Sequence, residues 1–264
     1  MRPVRAPDLR AWKRDAKKIA VLTAYDASSA ALVEKAGIDV ILVGDSLGMV
    51  IQGRQTPLQV TLDDVVYHSR AVARAVQWPL VVADMPFLSY NTGTDDAVRN
   101  AGRLVQQGGA AAVKLEGGSA SICAVVARLV EIGIPVMGHL GLTPQSYHQF
   151  GGFRKQATTP EDAETLVHQA QALQAAGAFS LVLESIPAAV AAQVTAALEI
   201  PTIGIGAGPH CDGQVLVMHD ILGIGEYSPP FAKVYAAVGE QMIKAFENYA
   251  EDVRSGKFPP DTES

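Results

Sequence analysis

Four carboxylates stand at the ends of short apolar runs: Asp45 in DVILVGDS, Asp84 in LVVAD, Glu116 in AAVKLE and Glu184 in FSLVLE. Runs of this kind, apolar throughout rather than alternating, are the pattern of parallel strands covered on both faces. The C-terminal ends of parallel strands lie at one face, which in a barrel carries the active site. Side chains alternate along a strand, so Val43 shares a side with Asp45, Val82 with Asp84, and Lys114 with Glu116. If these rows point inward, four carboxylates and one ammonium meet in one pocket, with His139 and Ser46 in the same layer. Four such acids repel one another, and a divalent cation resolves the repulsion. The donors are oxygens, which suits magnesium better than zinc. A carboxylate-held metal at a barrel mouth serves as Lewis acid toward a carbonyl or enolate. Each residue also has a plainer role. An acid after a strand can cap the next helix, Lys114 can pair with Glu116, and His139 can be a core histidine. The conjunction favours chemistry, since an unpaired lysine inside an apolar strand is costly.

The elements that would position these groups follow from the same pattern. Strands are expected over residues 19–25, 40–46, 80–87, 111–117, 135–140, 179–185, 202–207 and 214–218. Thr61-Leu62-Asp63-Asp64 reads as a capping box opening a helix to about Gln77. Thr159-Pro160-Glu161 reads as an N-cap with proline at the first helical position, for a helix ending near Gly177. Gly37 and Gly109 read as helix stops. The last long helix is expected from Phe231 to Ser255, after a short N-terminal helical extension, with a loose tail from about 256. A weak repeat, EKAGIDVILVGDS (34–46), VQQGGAAAVKLEG (105–117) and LQAAGAFSLVLES (173–185), joins a glycine helix stop, an apolar strand and a terminal acid. Its even recurrence predicts an α/β fold, a (β/α)8 TIM barrel in a single domain over residues 1–264. An open doubly wound sheet is the other arrangement compatible with it. GIGAG (204–208) lacks G-x-G-x-x-G spacing, which argues against a dinucleotide site.

Composition narrows the partners. The 264 residues carry 21 Lys+Arg against 27 Asp+Glu, a net charge of -6, which disfavours nucleic acid and anionic membrane surfaces. Apolar residues at 48% exclude a disordered chain. Cys123 and Cys211 form no CxxC, which argues against a disulfide scaffold or cysteine-held zinc and fits a reducing cytoplasm. The first twenty residues are polar and basic, unlike a signal peptide. No apolar run approaches the ~20 residues of a membrane span.

GDSLGMVIQG (44–53), VADMPF (82–87), VKLEGG (113–118), HLGLTPQS (139–146), LVLES (181–185) and IPTIGIGAG (200–208) resemble the ketopantoate hydroxymethyltransferase family, in its order and over nearly the whole chain. FGGFRKQA (150–157) departs from the family's usual form. The resemblance implies a barrel of the phosphoenolpyruvate mutase/isocitrate lyase group. It implies one-carbon transfer from 5,10-methylenetetrahydrofolate to 3-methyl-2-oxobutanoate through a magnesium-stabilised enolate, giving 2-dehydropantoate in pantothenate biosynthesis. By position, Asp45 and Asp84 would bind magnesium and substrate, with Glu116 a looser third metal contact. Ser46, Lys114 and His139 would contact substrate, and Glu184 would accept the proton. A homo-oligomer of decameric type is also implied. The rival readings are another 2-oxo-acid lyase or mutase of the same group, and a non-catalytic ligand-binding barrel.

Overall fold

The computed structural model describes residues 2–225 and 228–260. Residues up to 217 form one compact unit that holds eight strands: β1 (Ile19–Thr23), β2 (Val40–Val43), β3 (Leu80–Asp84), β4 (Ala112–Glu116), β5 (Val136–Gly141), β6 (Ser180–Glu184), β7 (Thr202–Ile205) and β8 (Gly213–Leu216). Each strand pairs in parallel with the next, and β8 pairs in parallel with β1, so the sheet closes into a barrel. Helices connect β1 through β7, the usual crossover between parallel strands, whereas a short loop without a helix joins β7 to β8. Residues 218–260 form a second unit, with the helices Met218–Leu222 and Val238–Arg254. The sequence carries no compositional break at this boundary.

A single buried cluster draws a side chain from every strand: Ile19, Val21, Val40, Leu42, Leu80, Val82, Ala112, Met137, Val182, Ile203 and Val215. Only the barrel interior can satisfy that. Leu9, from the N-terminal helix Ala6–Arg14, joins the same cluster. Two-residue alternation from these positions carries Asp84, Lys114, Glu116, His139 and Glu184 inward at the C-terminal end.

The inward row of β2 is Val40 and Leu42, so Val43 belongs to the helix-facing row, contrary to the alternation expected for Val43 and Asp45. Asp45 reaches the interior because the strand stops at Val43 and the chain turns, the Leu47 N–H donating to the Gly44 carbonyl. Gly44 permits that turn: a Cβ there would lie 2.8 Å from Ser46 Oγ.

The helix signals hold at their starts. Thr61 and Asp64 form the reciprocal capping box of Leu62–Ala75, and Thr159 accepts from the Asp162 N–H at the head of Pro160–Ala175. Gly37 and Gly109 take positive φ. The last helix begins at Val238 rather than Phe231. The N–H groups of Tyr235 and Ala236 donate instead to the Ile221 carbonyl, which removes them from a helical ladder. Of the tail expected to be loose, residues 261–264 lie outside the described residues.

Candidate active site at the carboxyl ends of the strands

Strand register sets the neighbours in the pocket. Asp84 on β3 is paired in register with Lys114 on β4, Glu116 with His139 on β5, and Gly141 with Glu184 on β6. The resulting contacts run around the rim in the same order. Lys114 Nζ lies 2.8 Å from Asp84 Oδ1. His139 Nδ1 lies 3.4 Å from Glu116 Oε1, and His139 Nε2 3.3 Å from Glu184 Oε2. The Asp45 N–H donates to Asp84 Oδ2 at 2.9 Å, which ties the β2 turn to β3. Ser46 Oγ is 2.8 Å from the Tyr25 hydroxyl. Asp45, Asp84, Lys114, Glu116 and His139 are all buried. Glu184 is the more open group.

Gly141 is fixed by this arrangement. Its φ is +91°, and a Cβ there would lie 2.3 Å from the Glu184 carbonyl oxygen. The next residue, Leu142, donates its N–H to that same carbonyl at 2.8 Å. Any larger residue at 141 would push β5 away from the backbone that carries Glu184.

Electrostatics reflect the crowding. Burial, then the charges of Asp84 and Glu116, push the Asp45 carboxyl well above the usual carboxylate range. Burial disfavours a charged Lys114, but Asp84, Glu116 and Asp45 outweigh it and hold the ammonium charged. Burial and Lys114 likewise oppose charge on His139. Glu116 and Glu184 on its two ring nitrogens overcome them and raise it to about 9. At neutral pH the imidazolium therefore stands as a positive charge between the two carboxylates. Burial would raise Glu116, yet His139, Lys114 and the Gln145 N–H keep it below its ordinary value.

A divalent cation is the remaining question. Among the described residues no three His, Cys, Asp or Glu side chains are spaced to enclose a metal by themselves. Asp45, Asp84 and Glu116 thus do not close as a trio; Glu116 Oε2 is held by the Gln145 N–H at 3.0 Å. Two carboxylates completed by water and substrate oxygens are, however, what magnesium ordinarily takes. The buried oxygens Asp84 Oδ1 and Glu116 Oε1 accept no hydrogen bond, although each faces a cationic side chain. Oxygen donors, excess negative charge and unused buried lone pairs fit a hard cation held by Asp45 and Asp84.

Of the residues singled out by sequence, Asp45, Asp84, Lys114, Glu116, His139 and Glu184 come together, and Ser46 lies beside Asp45 against Tyr25. Sequence reasoning missed Tyr25, Tyr90 and Gln145. All three are buried polar residues in the segments that follow β1, β3 and β5. Nothing in their local pattern separates them from loop residues, except that Gln145 lies within HLGLTPQS.

Comparison with known proteins places the chain in a family and a fold. The family model described as ketopantoate hydroxymethyltransferase matches residues 3–261. A 3-methyl-2-oxobutanoate hydroxymethyltransferase of Thermosynechococcus vestitus is 54% identical over 258 residues, covering 98% of this chain and 99% of that protein. Another, of Moorella thermoacetica, is 54% identical over 257 residues, covering 97% and 95%. Among solved structures, 2,3-dimethylmalate lyase, of the PEP mutase/isocitrate lyase superfamily, superposes with a TM-score of 0.61 at 19% identity, covering 98% and 90%. Phosphonopyruvate hydrolase, solved with oxalate and magnesium, gives 0.64 at 14% identity, covering 98% and 91%. These two structures share the fold.

Proposed function

The chain belongs to the ketopantoate hydroxymethyltransferase family, and from that premise we propose how its own residues carry the reaction. The protein is an enzyme, a hydroxymethyltransferase of pantothenate biosynthesis. We take its acceptor to be 3-methyl-2-oxobutanoate and its one-carbon donor to be 5,10-methylenetetrahydrofolate. The observation that carries the assignment is the unbroken row Asp84, Lys114, Glu116, His139 and Glu184 on four adjacent strands at one mouth of the barrel.

Asp45 and Asp84 would hold magnesium, with Glu116 nearby and itself held by Gln145 and His139. A divalent cation bound there supplies Lewis-acid charge for the 2-oxo and carboxylate oxygens of the keto acid. Glu184, the more open carboxylate, accepts the C3 proton. His139, charged and within ion-pair distance of both Glu116 and Glu184, holds that carboxylate in place. Lys114, kept charged by three carboxylates, presents a fixed positive centre to the oxyanion that develops as the C3 proton leaves. Ser46, anchored by Tyr25, contacts the substrate. The nucleophilic C3 carbon then bonds to the methylene carbon of the folate donor; both C–N bonds of that methylene break, water supplies the hydroxyl, and the C3 proton and the second proton of the water end on the two folate nitrogens. Burial of the row strengthens each of these charge contacts.

We also place the enzyme in the cytoplasm and read it as a homo-oligomer of decameric type. The two free cysteines support the first. Exposed Ile243, Phe246, Tyr249 and Val253 on one helix support the second; sedimentation velocity measures the assembly. Among the described residues no helix is long and apolar enough to cross a membrane.

The deciding experiment is product analysis of 3-methyl-2-oxobutanoate with methylenetetrahydrofolate, with magnesium and with EDTA. The expected product is 2-dehydropantoate, formed only with both folate and metal. Turnover of the keto acid without folate would shift the assignment to a lyase or mutase. Turnover undiminished by EDTA would remove the metal.

A further inference from the structure

Gln145 lies in the short helical turn Pro144–Ser146 after β5 and is buried. Its side-chain amide and its backbone N–H are all engaged. Its side-chain Nε2 donates to Asp45 Oδ2 at 2.8 Å and to the Met85 carbonyl at 3.0 Å. Its Oε1 accepts from the Tyr90 hydroxyl at 2.7 Å, and its backbone N–H donates to Glu116 Oε2 at 3.0 Å. Tyr90 in turn accepts from the Glu116 N–H at 3.1 Å. One residue of the β5 loop therefore grips the ends of β2, β3 and β4.

The chemistry of those partners leaves little freedom of residue type. A backbone carbonyl can only accept, so the nitrogen of the amide must face Met85 and Asp45, and its oxygen must face Tyr90. A glutamate would set an oxygen against two acceptors and add another carboxylate to a pocket already overfull of them. A lysine or arginine would bring a permanent positive charge beside Asp45, in competition with a metal ion. A neutral donor holds Asp45 without altering the charge of the pocket.

We propose that Gln145 is a positioning residue that fixes the Asp45 and Glu116 carboxylates relative to one another for binding of the ion and keto acid. The proposal rests on the assignment of Asp45 to the metal. Tyr90 completes it by fixing the amide.

The test uses the full-length enzyme, Mn2+ as the probe ion, and three readouts. These are Mn2+ affinity in the presence of 3-methyl-2-oxobutanoate, exchange of its C3 hydrogen in deuterated water without folate, and the melting temperature. Gln145→Met keeps the volume and removes the side-chain bonds. It is expected to weaken Mn2+ binding tenfold or more and to slow exchange similarly, with melting within a few degrees of wild type. Gln145→Glu is expected to be at least as damaging to both. Tyr90→Phe is expected to lower both by a smaller factor in the same direction. Wild-type Mn2+ affinity and exchange in a folded Gln145→Met overturn the proposal. If that variant does not fold, the same result in Tyr90→Phe overturns it. Asp45→Asn separates the two levels. If it retains Mn2+ binding and exchange, the site assignment itself fails. If it loses both while Gln145→Met loses neither, only the role of Gln145 falls.

Discussion

Two lysine–aspartate pairs, one part-buried and one fully buried, stand at opposite ends of this barrel and are treated in opposite ways. At the amino ends of the strands, Lys13 from the N-terminal helix lies 3.0 Å from Asp212, just before β8. Lys13 also donates to the carbonyls of Thr195 and Ile200, and Asp212 accepts from the N–H and hydroxyl of Thr202. There is one charge of each sign, and both are hydrogen-bonded. At the carboxyl ends, Lys114 and Asp84 are closer and more deeply buried, yet the surroundings are unbalanced. Asp45, Glu116 and Glu184 crowd the same mouth against Lys114 and His139. Asp45 is pushed toward its protonated form, and Asp84 Oδ1 and Glu116 Oε1 accept no hydrogen bond. The lower pair is arranged for stability. The upper one leaves charge unmet, as expected where a ligand is to supply it.

This contrast is open to measurement. The largest effect is expected from Glu184→Gln, which should slow C3 hydrogen exchange by roughly 10²–10⁴-fold with an unchanged midpoint of urea unfolding. Undiminished exchange would take proton removal away from Glu184. Asp45→Asn removes a carboxylate that burial and its neighbours disfavour. We expect exchange at fixed magnesium to drop by about 10–100-fold, while thermal stability holds or rises. A large loss of stability would instead make Asp45 a structural group like Asp212.

At the other end the signs reverse. Asp212→Asn leaves the part-buried Lys13 without its counter-charge, at a cost of about 1–3 kcal/mol in urea unfolding. Exchange measured at 25 °C should stay within about twofold of wild type. Loss of activity without loss of stability would break the division between the two ends.

The smallest effect serves as a reference away from both. Thr61→Ala in the capping box should cost about 1 kcal/mol. Burial of Asp64 opposes its charge, but the bonds from Thr61 prevail and lower its pKa below 3.8. A depressed acid stabilises the fold above its unfolded pKa and loses that contribution as pH falls through the folded value. The gap between wild type and Thr61→Ala should therefore narrow below about pH 4, as read from urea midpoints across pH.

What the sequence determined was the order of elements and the identity of the charged groups. Apolar runs marked most of the strands, because parallel strands buried on both faces admit few polar residues; β8, with its exposed Gln214, carries a weaker signal. Thr61 and Thr159 marked helix starts, because capping is local chemistry. Asp84, Lys114, Glu116, His139 and Glu184 were visible because a charge in or beside such a strand is conspicuous.

What only the tertiary structure decided was which groups touch. Register places Asp84 beside Lys114 and Glu116 beside His139, and no local pattern encodes an alignment between separate strands. The inward turn of Asp45 depends on where β2 stops. Gln145 and Tyr90 gained their roles only when closure of the barrel brought the loops after β3 and β5 together. A neutral polar side chain becomes informative once burial compels it to find partners, and burial is a property of the folded chain.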